Sequence, residues 1–324
     1  MNKVVMTNTM VPITAEDLKA FDGLDVDFQI IEGTTEQALL EGTRDADAVI
    51  ILAEQFTETV IDNLQSCRSL TRFGIGYDTI DVPAATARGI WVTNVPDANY
   101  REVAVHAIAL ALSVTRRLPA LDAGIRSEGW ASSFFPGVRR PDDQVFGLLG
   151  LGRIGRRVAT MAQAIGYTVV AFDPVVAAAD AAELGVELLT KDEVIARADI
   201  LSIHVPLMES TRNIIDADAL AHMKKGSVLV NVSRGGLIDE SALADALRSG
   251  HLFGAGIDAF GNEPLEADSP LRDLDNIILS PHAAHWSEES WNETRRKVLE
   301  EAARVLRGEQ PRNPVNDIRR ETAA

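Results

Sequence analysis

The sequence predicts an α/β protein with two doubly wound parallel sheets and a cleft between them. Three observations predict this fold class. Short β-rich runs alternate with helical patterns over the first hundred residues, and the alternation restarts near residue 144. A glycine-rich turn, Gly150-Leu-Gly-Arg-Ile-Gly155, follows the first strand of the second block. Such alternation is typical of parallel strands joined by right-handed crossover helices.

The first block alternates predicted strands with shorter helical segments. The strands are residues 3–7, 26–31, 48–52, 70–73 and 91–94. The helices lie near residues 16–21, 36–41, 57–64 and 83–88. A long helix over 101–117, a second over 119–127 and a turn-rich loop over 129–141 follow.

The second block has predicted strands at residues 144–149, 168–173, 200–205, 227–232, 253–258 and 277–279, with a weaker one at 186–188. A last long helix covers residues 287–307. The two long helices are natural crossovers between domains. We therefore expect one discontinuous domain made of residues 1–100 plus 287–324, and a second made of residues 101–286.

The glycine-rich turn points to a dinucleotide pocket of the Rossmann-like or flavodoxin-like kind. The motif follows a predicted strand and opens a helix predicted over 156–163, and Asp173 closes the next strand. Gly150 permits the tight turn, Gly152 lets main-chain N–H groups approach a pyrophosphate, and Gly155 allows close packing of helix and strand. An acid at the position of Asp173 is suited to binding a ribose diol.

Composition excludes several classes of function. The net charge is −17, with 31 basic and 48 acidic residues, which argues against nucleic acid or an anionic membrane as a partner. The single cysteine, Cys67, fits a reducing cytoplasm and allows no internal disulfide. The first residues lack the basic start and apolar core of a signal peptide, so we expect a cytoplasmic protein.

Arg234 follows an apolar strand and precedes two glycines. A planar guanidinium is well suited to holding a carboxylate by two hydrogen bonds. Position alone leaves open that Arg234 is a solvated arginine at a strand end. Gly74-Ile-Gly76 could similarly present N–H groups to an anion, or could be an ordinary glycine turn.

Glu263 and His282 each follow a strand that ends at the same predicted sheet edge. A neighbouring carboxylate favours the charged imidazole, which makes a His–Glu pair a proton donor in one direction and an acceptor in the other. Taken alone, His282 could be a satisfied histidine at a strand end. His285, three residues later, lacks further ligands at metal-binding spacing, so no metal site is expected.

The order of these motifs resembles the D-isomer-specific 2-hydroxyacid dehydrogenase family, which includes phosphoglycerate dehydrogenases, hydroxypyruvate reductases and C-terminal-binding corepressors. The resemblance covers essentially the full length. Besides the glycine turn, the matching segments are Arg72-Phe-Gly-Ile-Gly-Tyr-Asp78, Gly89-Ile-Trp-Val-Thr-Asn94, His204-Val-Pro-Leu207, Asn231-Val-Ser-Arg-Gly-Gly236, Gly256-Ile-Asp-Ala-Phe260, Glu263-Pro264 and Ser280-Pro-His282.

The resemblance implies a role for each matching residue. His282 would be the acid/base, Glu263 would orient and charge it, and Arg234 would bind the substrate carboxylate. Ile75, Gly76 and His285 would also contact the substrate. The implied NAD contacts are Gly150, Gly152, Arg153, Ile154, Gly155, Asp173, His204, Val205, Pro206, Thr211, Val232, Ser233, Asp258 and Ala284, with Asp258 at the nicotinamide carboxamide and Asp173 at the adenine ribose.

The resemblance implies an NAD(H)-dependent reductase that converts a small 2-keto acid to a D-2-hydroxy acid, and a homodimer formed through residues 101–127. Glyoxylate, hydroxypyruvate, 3-phosphohydroxypyruvate and aliphatic 2-keto acids all remain open as substrates. The alternative is an NAD(H)-sensing scaffold of the corepressor kind.

Two positions depart from the family pattern: Val105 stands where many relatives have an acid, and His285 stands where the corepressor branch can carry an aromatic residue. Some phosphoglycerate dehydrogenases carry an amino-acid-sensing domain, and we expect none here.

Overall fold

The computed structural model describes residues 1–8, 12–32, 35–130 and 136–318. The described chain divides into two compact units. Unit 1 combines Met1–Asn99 with the C-terminal segment from Ser287, and unit 2 is Tyr100–Trp286. Each unit contains one sheet, and every paired strand runs parallel to its neighbour.

The regular elements alternate along the chain as a parallel α/β fold requires. The strands are β1 (Asn2–Met6), β2 (Val26–Ile30), β3 (Ala48–Ile51), β4 (Ser69–Arg72), β5 (Trp91–Thr93), β6 (Val145–Leu149), β7 (Thr168–Phe172), β8 (Glu187–Leu188), β9 (Ile200–Ile203), β10 (Val228–Asn231), β11 (Gly254–Ile257) and β12 (Ile277–Leu279). The helices are α1 (Ala15–Leu18), α2 (Glu36–Thr43), α3 (Glu58–Asn63), α4 (Val82–Ala87), α5 (Tyr100–Thr115), α6 (Leu118–Glu128), α7 (Arg153–Ile165), α8 (Ala178–Glu183), α9 (Lys191–Arg197), α10 (Ala217–His222), α11 (Glu240–Arg248) and α12 (Glu288–Leu306).

Unit 1 has the strand order β2-β1-β3-β4-β5, which is the flavodoxin-like order. Its central strand β3 is fully buried, as expected when helices cover both faces of a parallel sheet. The C-terminal helix α12 belongs to this unit. Its buried face, with Trp291, Val298 and Leu299, packs against one side of the sheet. The unit is therefore completed by the end of the chain.

Unit 2 has the strand order β12-β11-β10-β9-β6-β7-β8. Numbered within the unit, this is the Rossmann order 3-2-1-4-5-6 with one additional strand at the end. Strands β9 and β10 are buried along their length, and separate hydrophobic clusters cover the two faces of the sheet. The predicted class of two doubly wound parallel-sheet units is confirmed.

Helix α7 begins earlier than the sequence pattern predicted. It starts at Arg153, inside the glycine motif, with Gly152 as its N-cap, and it ends at Gly166 in the left-handed region with φ of 117°. The glycine turn and the first helical turn therefore share residues. An apolar pattern alone locates the packed middle of a helix, whereas its start depends on capping.

Most predicted strands also end one or two residues beyond the observed ladders, because the apolar pattern continues into the loop after the last ladder hydrogen bond. The predicted loop over 129–141 lies partly outside the described residues, and Pro141–Asp143 forms a 3-10 turn. No single described helix is long and apolar enough to cross a membrane; the bent pair Tyr100–Thr115 and Leu118–Ser127 together would meet that criterion.

Candidate active site

Strands β6 and β9 are neighbours in the sheet of unit 2, although two strands separate them along the chain. The chain leaves β6 in one direction and reaches β9 from the other, so this is the switch point of the sheet. Ligands of doubly wound sheets bind in the crevice beyond the carboxyl ends of the strands at such a point. The glycine motif follows β6 there, and His204 follows β9.

The glycine motif forms a turn too tight for side chains at two of its positions, which is the kind of turn that a dinucleotide-binding loop needs. A Cβ on Gly150 would lie 2.6 Å from the carbonyl oxygen of His204, and one on Gly155 would lie 2.2 Å from the carbonyl oxygen of Gly150. Gly150 also has a φ of 101°, which favours glycine. Gly152 faces open space and caps α7. The turn is thus a tight cradle that presents the N-terminus of a helix, as a pyrophosphate requires.

Asp173 ties this cradle to the end of β7. One carboxylate oxygen accepts a hydrogen bond from the N–H of Leu151 at 2.7 Å, and the other accepts from Val175 at 2.9 Å and Val176 at 3.1 Å. The sequence predicted Asp173 as a ribose ligand. The structure shows a task that the sequence did not predict, since this carboxylate holds the glycine turn in place.

His204 lies beside the cradle as a neutral imidazole. Desolvation by burial lowers its pKa to about 3. Its Nε2 is 2.9 Å from the hydroxyl of Ser202, while Nδ1 is buried without a hydrogen-bond partner among the described residues. Val205 is buried next to it. The Thr211 hydroxyl donates to the carbonyl of Pro206 at 2.7 Å, so it shapes the loop after β9.

Arg234 is positioned by the loop that follows β10. Asn231 is fully buried at the end of the strand; its side chain donates to the carbonyl of Arg234 at 2.8 Å and accepts from the N–H of Ser233 at 3.0 Å. Ser233 in turn donates to the carbonyl of Ile203 at 2.8 Å. Val232 is buried. The loop therefore has a fixed main-chain shape at the sheet edge, and the guanidinium of Arg234 donates to the carbonyl of Ser233 at 2.8 Å.

Glu263 and His282 form a direct pair. Nδ1 of His282 lies 3.0 Å and 2.8 Å from the two carboxylate oxygens of Glu263, and the N–H of Phe260 donates to the same carboxylate at 2.9 Å. Burial raises the pKa of Glu263, but hydrogen bonds from His282 and Phe260 and the charges of His282 and Arg234 outweigh it, so the pKa is lowered. The carboxylate stays ionised and orients the imidazole.

The residues after the pair complete this edge of unit 2. The ring of His285 lies 6.2 Å from that of His282, at an interplanar angle of 70°. Ala284 is buried, and its N–H donates to Asp258 at 3.0 Å. The structure thus brings Arg234, Glu263, His282 and His285 to the carboxyl edge of one sheet.

Ile75 and Gly76 belong to unit 1, where they follow β4. The preceding Gly74 has a φ of 135°, and the side chain of Asn94 donates to the carbonyl of Ile75 at 2.7 Å. This turn is therefore held at the carboxyl edge of the sheet of unit 1.

Val105, which departs from the family pattern, lies on α5 in unit 2 and is 55% exposed.

Sequence reasoning gave no role to three residues at this edge: Asn231, Ser280 and His106. Asn231 and Ser280 belong to segments that carry the family resemblance, and Asn231 could have been noticed as an amide at the end of an otherwise apolar strand, since buried amides are usually hydrogen-bonded. His106 offered no local signal. His106 lies 2.9 Å from the hydroxyl of Ser280 through Nε2, but 174 residues separate them in the sequence.

A Rossmann-ordered sheet with a glycine cradle at its switch point defines unit 2 as a dinucleotide-binding domain. The particular family follows from comparison with known proteins. The model of the NAD-binding domain of D-isomer-specific 2-hydroxyacid dehydrogenases matches residues 108–284. The chain belongs to the D-isomer-specific 2-hydroxyacid dehydrogenase family, and the predicted NAD cofactor is confirmed.

Two relatives illustrate the similarity of sequence. The chain is 39% identical over 314 residues to the D-3-phosphoglycerate dehydrogenase of Mycobacterium tuberculosis, covering 97% of this chain and 58% of that protein. It is 35% identical over 286 residues to the glyoxylate reductase of Korarchaeum cryptofilum, covering 87% of this chain and 86% of that protein. The chain thus spans about 58% of the length of the former relative.

Solved structures of the family share the fold. A glyoxylate reductase from Paecilomyes thermophila superposes with a TM-score of 0.88 at 29% identity, covering 97% of this chain and 98% of that one. A D-lactate dehydrogenase from Aquifex aeolicus, solved with NAD and lactic acid, gives a TM-score of 0.83 at 25% identity. The match covers 95% of this chain and 96% of that one.

Proposed function

We propose that the protein is an NAD(H)-dependent oxidoreductase that reduces a small 2-keto acid to a D-2-hydroxy acid. The observation that carries this proposal is the Glu263–His282 pair, whose atoms are 2.8 Å apart at the closest approach. The charge of Arg234 acts on the same carboxylate. A proton donor and a carboxylate-binding cation at one sheet edge are what reduction of a 2-keto acid requires.

Each of these residues has a defined task in that reaction. NADH, when bound, supplies the hydride that adds to the keto carbon. His282 donates a proton from Nε2 to the keto oxygen, because its Nδ1 is engaged by Glu263. The ionised carboxylate of Glu263 contacts Nδ1 and orients the imidazole. Arg234 holds the substrate carboxylate by two hydrogen bonds and so orients the keto group. In the oxidative direction, His282 accepts the proton.

In this proposal unit 2 holds the cofactor and unit 1 is the substrate domain. Residues 150–155 and Asp173 would hold the pyrophosphate and the adenine ribose, and the main chain at Ile75 and Gly76 would contact the substrate carboxylate. The hydrogen bond of 2.7 Å from Asn94 to the carbonyl of Ile75 supports this role, because it fixes the conformation of that turn.

The proposal is tested by turnover of a panel of 2-keto acids with NADH. Glyoxylate, hydroxypyruvate, 3-phosphohydroxypyruvate and 2-ketobutyrate each give a separate rate of NADH consumption. We expect rapid turnover of at least one acid, and a product of D configuration from every acid whose product is chiral, which excludes glyoxylate. An L product, or no turnover of any acid, would contradict the proposal.

The alternative function is an NAD(H)-sensing scaffold. It is less well supported, because the relatives and solved neighbours are named as dehydrogenases and reductases. NADH binding without turnover of any acid in the panel would favour the scaffold.

We also propose that the protein is a cytoplasmic homodimer. Large apolar side chains are exposed on α6 and directly after it: Leu118 is 51% exposed, Ile125 44% and Trp130 85%. Leu118 and Ile125 are seven residues apart on α6 and so share one face of the helix, and a contiguous exposed apolar patch marks an interaction surface. Sedimentation velocity should give the mass of two chains for the unmodified protein and of one chain for the double variant Ile125→Glu/Trp130→Glu.

The net charge of −17 argues against nucleic acid or an anionic membrane as a partner.

A further inference from the structure

A polar cluster built around one buried carboxylate lies beside the loop that carries His282. It consists of Asp258 at the end of β11, Ser280 after β12 and His106 on α5. Asp258 is fully buried. The Ser280 hydroxyl donates to Oδ1 of Asp258 at 2.5 Å, and Nε2 of His106 lies 2.9 Å from that hydroxyl and 3.4 Å from the same carboxylate oxygen.

Asp258 holds the His282 loop at three consecutive residues. Its main-chain carbonyl accepts from the N–H of His282 at 2.8 Å. Its carboxylate accepts from the N–H of Ala283 at 2.9 Å and from that of Ala284 at 3.0 Å. His282 has a φ of 51°, a left-handed conformation that is uncommon for residues other than glycine and costs energy. These three hydrogen bonds keep the loop in that conformation.

His106 supplies the remaining donor. Since Ser280 gives its single hydroxyl hydrogen to Asp258, its oxygen must accept from His106, and Nε2 of His106 therefore carries a hydrogen. Helix α5 comes close enough to make this contact because β11 has a glycine where the helix crosses it. A Cβ on Gly256 would lie 2.8 Å from the Cβ of Leu110.

These donors matter because an ionised carboxylate without partners is costly to bury. Burial raises the pKa of Asp258, whereas hydrogen bonds from His106, Ser280, Ala284 and Ala283 lower it, and the net effect is a lowered pKa. Removing His106 leaves the Ser280 oxygen without its donor and takes away the imidazole that lies 3.4 Å from Oδ1 of Asp258. The carboxylate would then shift or take up a proton, and its grip on the two alanine N–H groups would weaken.

We propose that His106 is a positioning residue that acts through Ser280 and Asp258 to hold the loop carrying His282 in its active conformation. The consequence for catalysis rests on the proposed function, in which His282 donates the proton. A displacement of about 1 Å of a reacting group can cost on the order of 100-fold in rate, so even a small relaxation of the loop lowers turnover. Binding of the keto acid through Arg234 does not depend on this cluster.

The test compares two substitutions at one position. His106→Leu removes the donor, whereas His106→Gln places an amide N–H where Nε2 stands. A matched control is His222→Leu, because His222 is an exposed histidine at the end of α10 in the same unit and is not part of this cluster. Amide hydrogen exchange at Ala283 and Ala284 reports the loop directly, and it needs no turnover.

We expect exchange at both alanines to be at least about tenfold faster in His106→Leu, and close to wild type in His106→Gln and in the control. We also expect kcat of His106→Leu to fall about tenfold or more, with the KM of the keto acid nearly unchanged and most of kcat restored by glutamine. Unchanged exchange in a folded His106→Leu protein would overturn the proposal. So would faster exchange with a wild-type kcat. If the wild-type protein turns over no keto acid but exchange is faster in His106→Leu, the proposed activity is refuted. The role of His106 in holding the loop is then still supported.

Discussion

Gly235 lies against the main chain of Phe260 so closely that a Cβ would come within 1.8 Å of the Phe260 carbonyl carbon. Gly235 directly follows Arg234, and Phe260 begins the loop that carries Glu263. This contact therefore sets the distance between the two loops that mount the guanidinium and the carboxylate. A side chain at this position must push at least one of them away.

The first prediction concerns this contact. Gly235→Ala should destabilise unit 2 by about 1–3 kcal/mol, as overpacking of a fixed backbone does, and should lower kcat/KM by about 100-fold. Gly236→Ala is the matched control, because its Cβ would meet only flexible side chains, the nearest 3.2 Å away on Leu207. Urea unfolding and steady-state kinetics measure the two effects. Near-normal activity in Gly235→Ala would show that the loops carrying Arg234 and Glu263 can move apart without loss of activity.

The second prediction concerns the proton donor. His282→Gln should lower kcat by about 100-fold or more, which is within the range for loss of a general acid. NADH binding, measured by fluorescence titration, should be nearly unchanged, because the cradle at residues 150–155 lies at a different strand end. Near-normal turnover in His282→Gln would contradict the assignment of His282 as the proton donor.

The third prediction concerns Glu263. Glu263→Gln replaces the ionised carboxylate beside Nδ1 of His282 with a neutral amide, which is a weaker acceptor. We expect kcat for reduction to fall about tenfold, because the imidazole that donates the proton is less firmly held. NADH binding should be nearly unchanged. Steady-state kinetics and fluorescence titration measure the two quantities, and a kcat close to wild type would show that Glu263 does not support proton donation by His282.

The fourth prediction concerns cofactor choice. The Asp173 carboxylate would repel a 2′-phosphate, and Pro174, Val175 and Val176 supply no positive charge beside it. We expect catalytic efficiency to favour NADH over NADPH at least about tenfold, or about 1.4 kcal/mol. Asp173→Asn, which keeps an acceptor for Leu151, should narrow this ratio. An unmodified protein that uses NADPH as well as NADH would contradict the prediction.

The fifth prediction concerns pH and stability. The folded pKa of His204 is about 3, below the ordinary value of 6.5, so between these values the unfolded chain binds the proton and the folded chain does not. The free energy of unfolding is therefore unaffected by this histidine above pH 6.5. It decreases as the pH falls below that value, by at most about 1.4 kcal/mol per pH unit. Urea unfolding at about pH 7.5 and pH 5 should show a steeper loss for wild type than for His204→Gln. Equal losses would contradict it.

Much of the fold could be predicted because its signals are local. Buried parallel strands are short runs of apolar residues, and the positions of β3, β6 and β10 follow from such runs. The glycine motif was recognisable because its geometry excludes side chains at Gly150 and Gly155. The start of α7 was predicted too late, since the cap at Gly152 and not the apolar pattern determines it.

The site was less predictable where it depends on distant residues. The sequence indicated Arg234, Glu263 and His282 because each follows a strand, but nothing local links Gly235 to Phe260. Similarly, His106 reaches Ser280 only because α5 crosses the sheet at Gly256. Contacts of this kind arise from the packing of elements far apart in the chain, and they support the residues that local patterns reveal.

Deuterium transfer tests the central claim most directly. The protein is given the 2-keto acid that it turns over fastest among those with a chiral product, together with NADH deuterated at C4 of the nicotinamide in separate R and S forms. The account predicts that one of the two forms yields a D-2-hydroxy acid with deuterium at C2. In His282→Gln the same labelled product should form about 100-fold more slowly. Product without deuterium from either form, or labelled product of L configuration, would contradict the account.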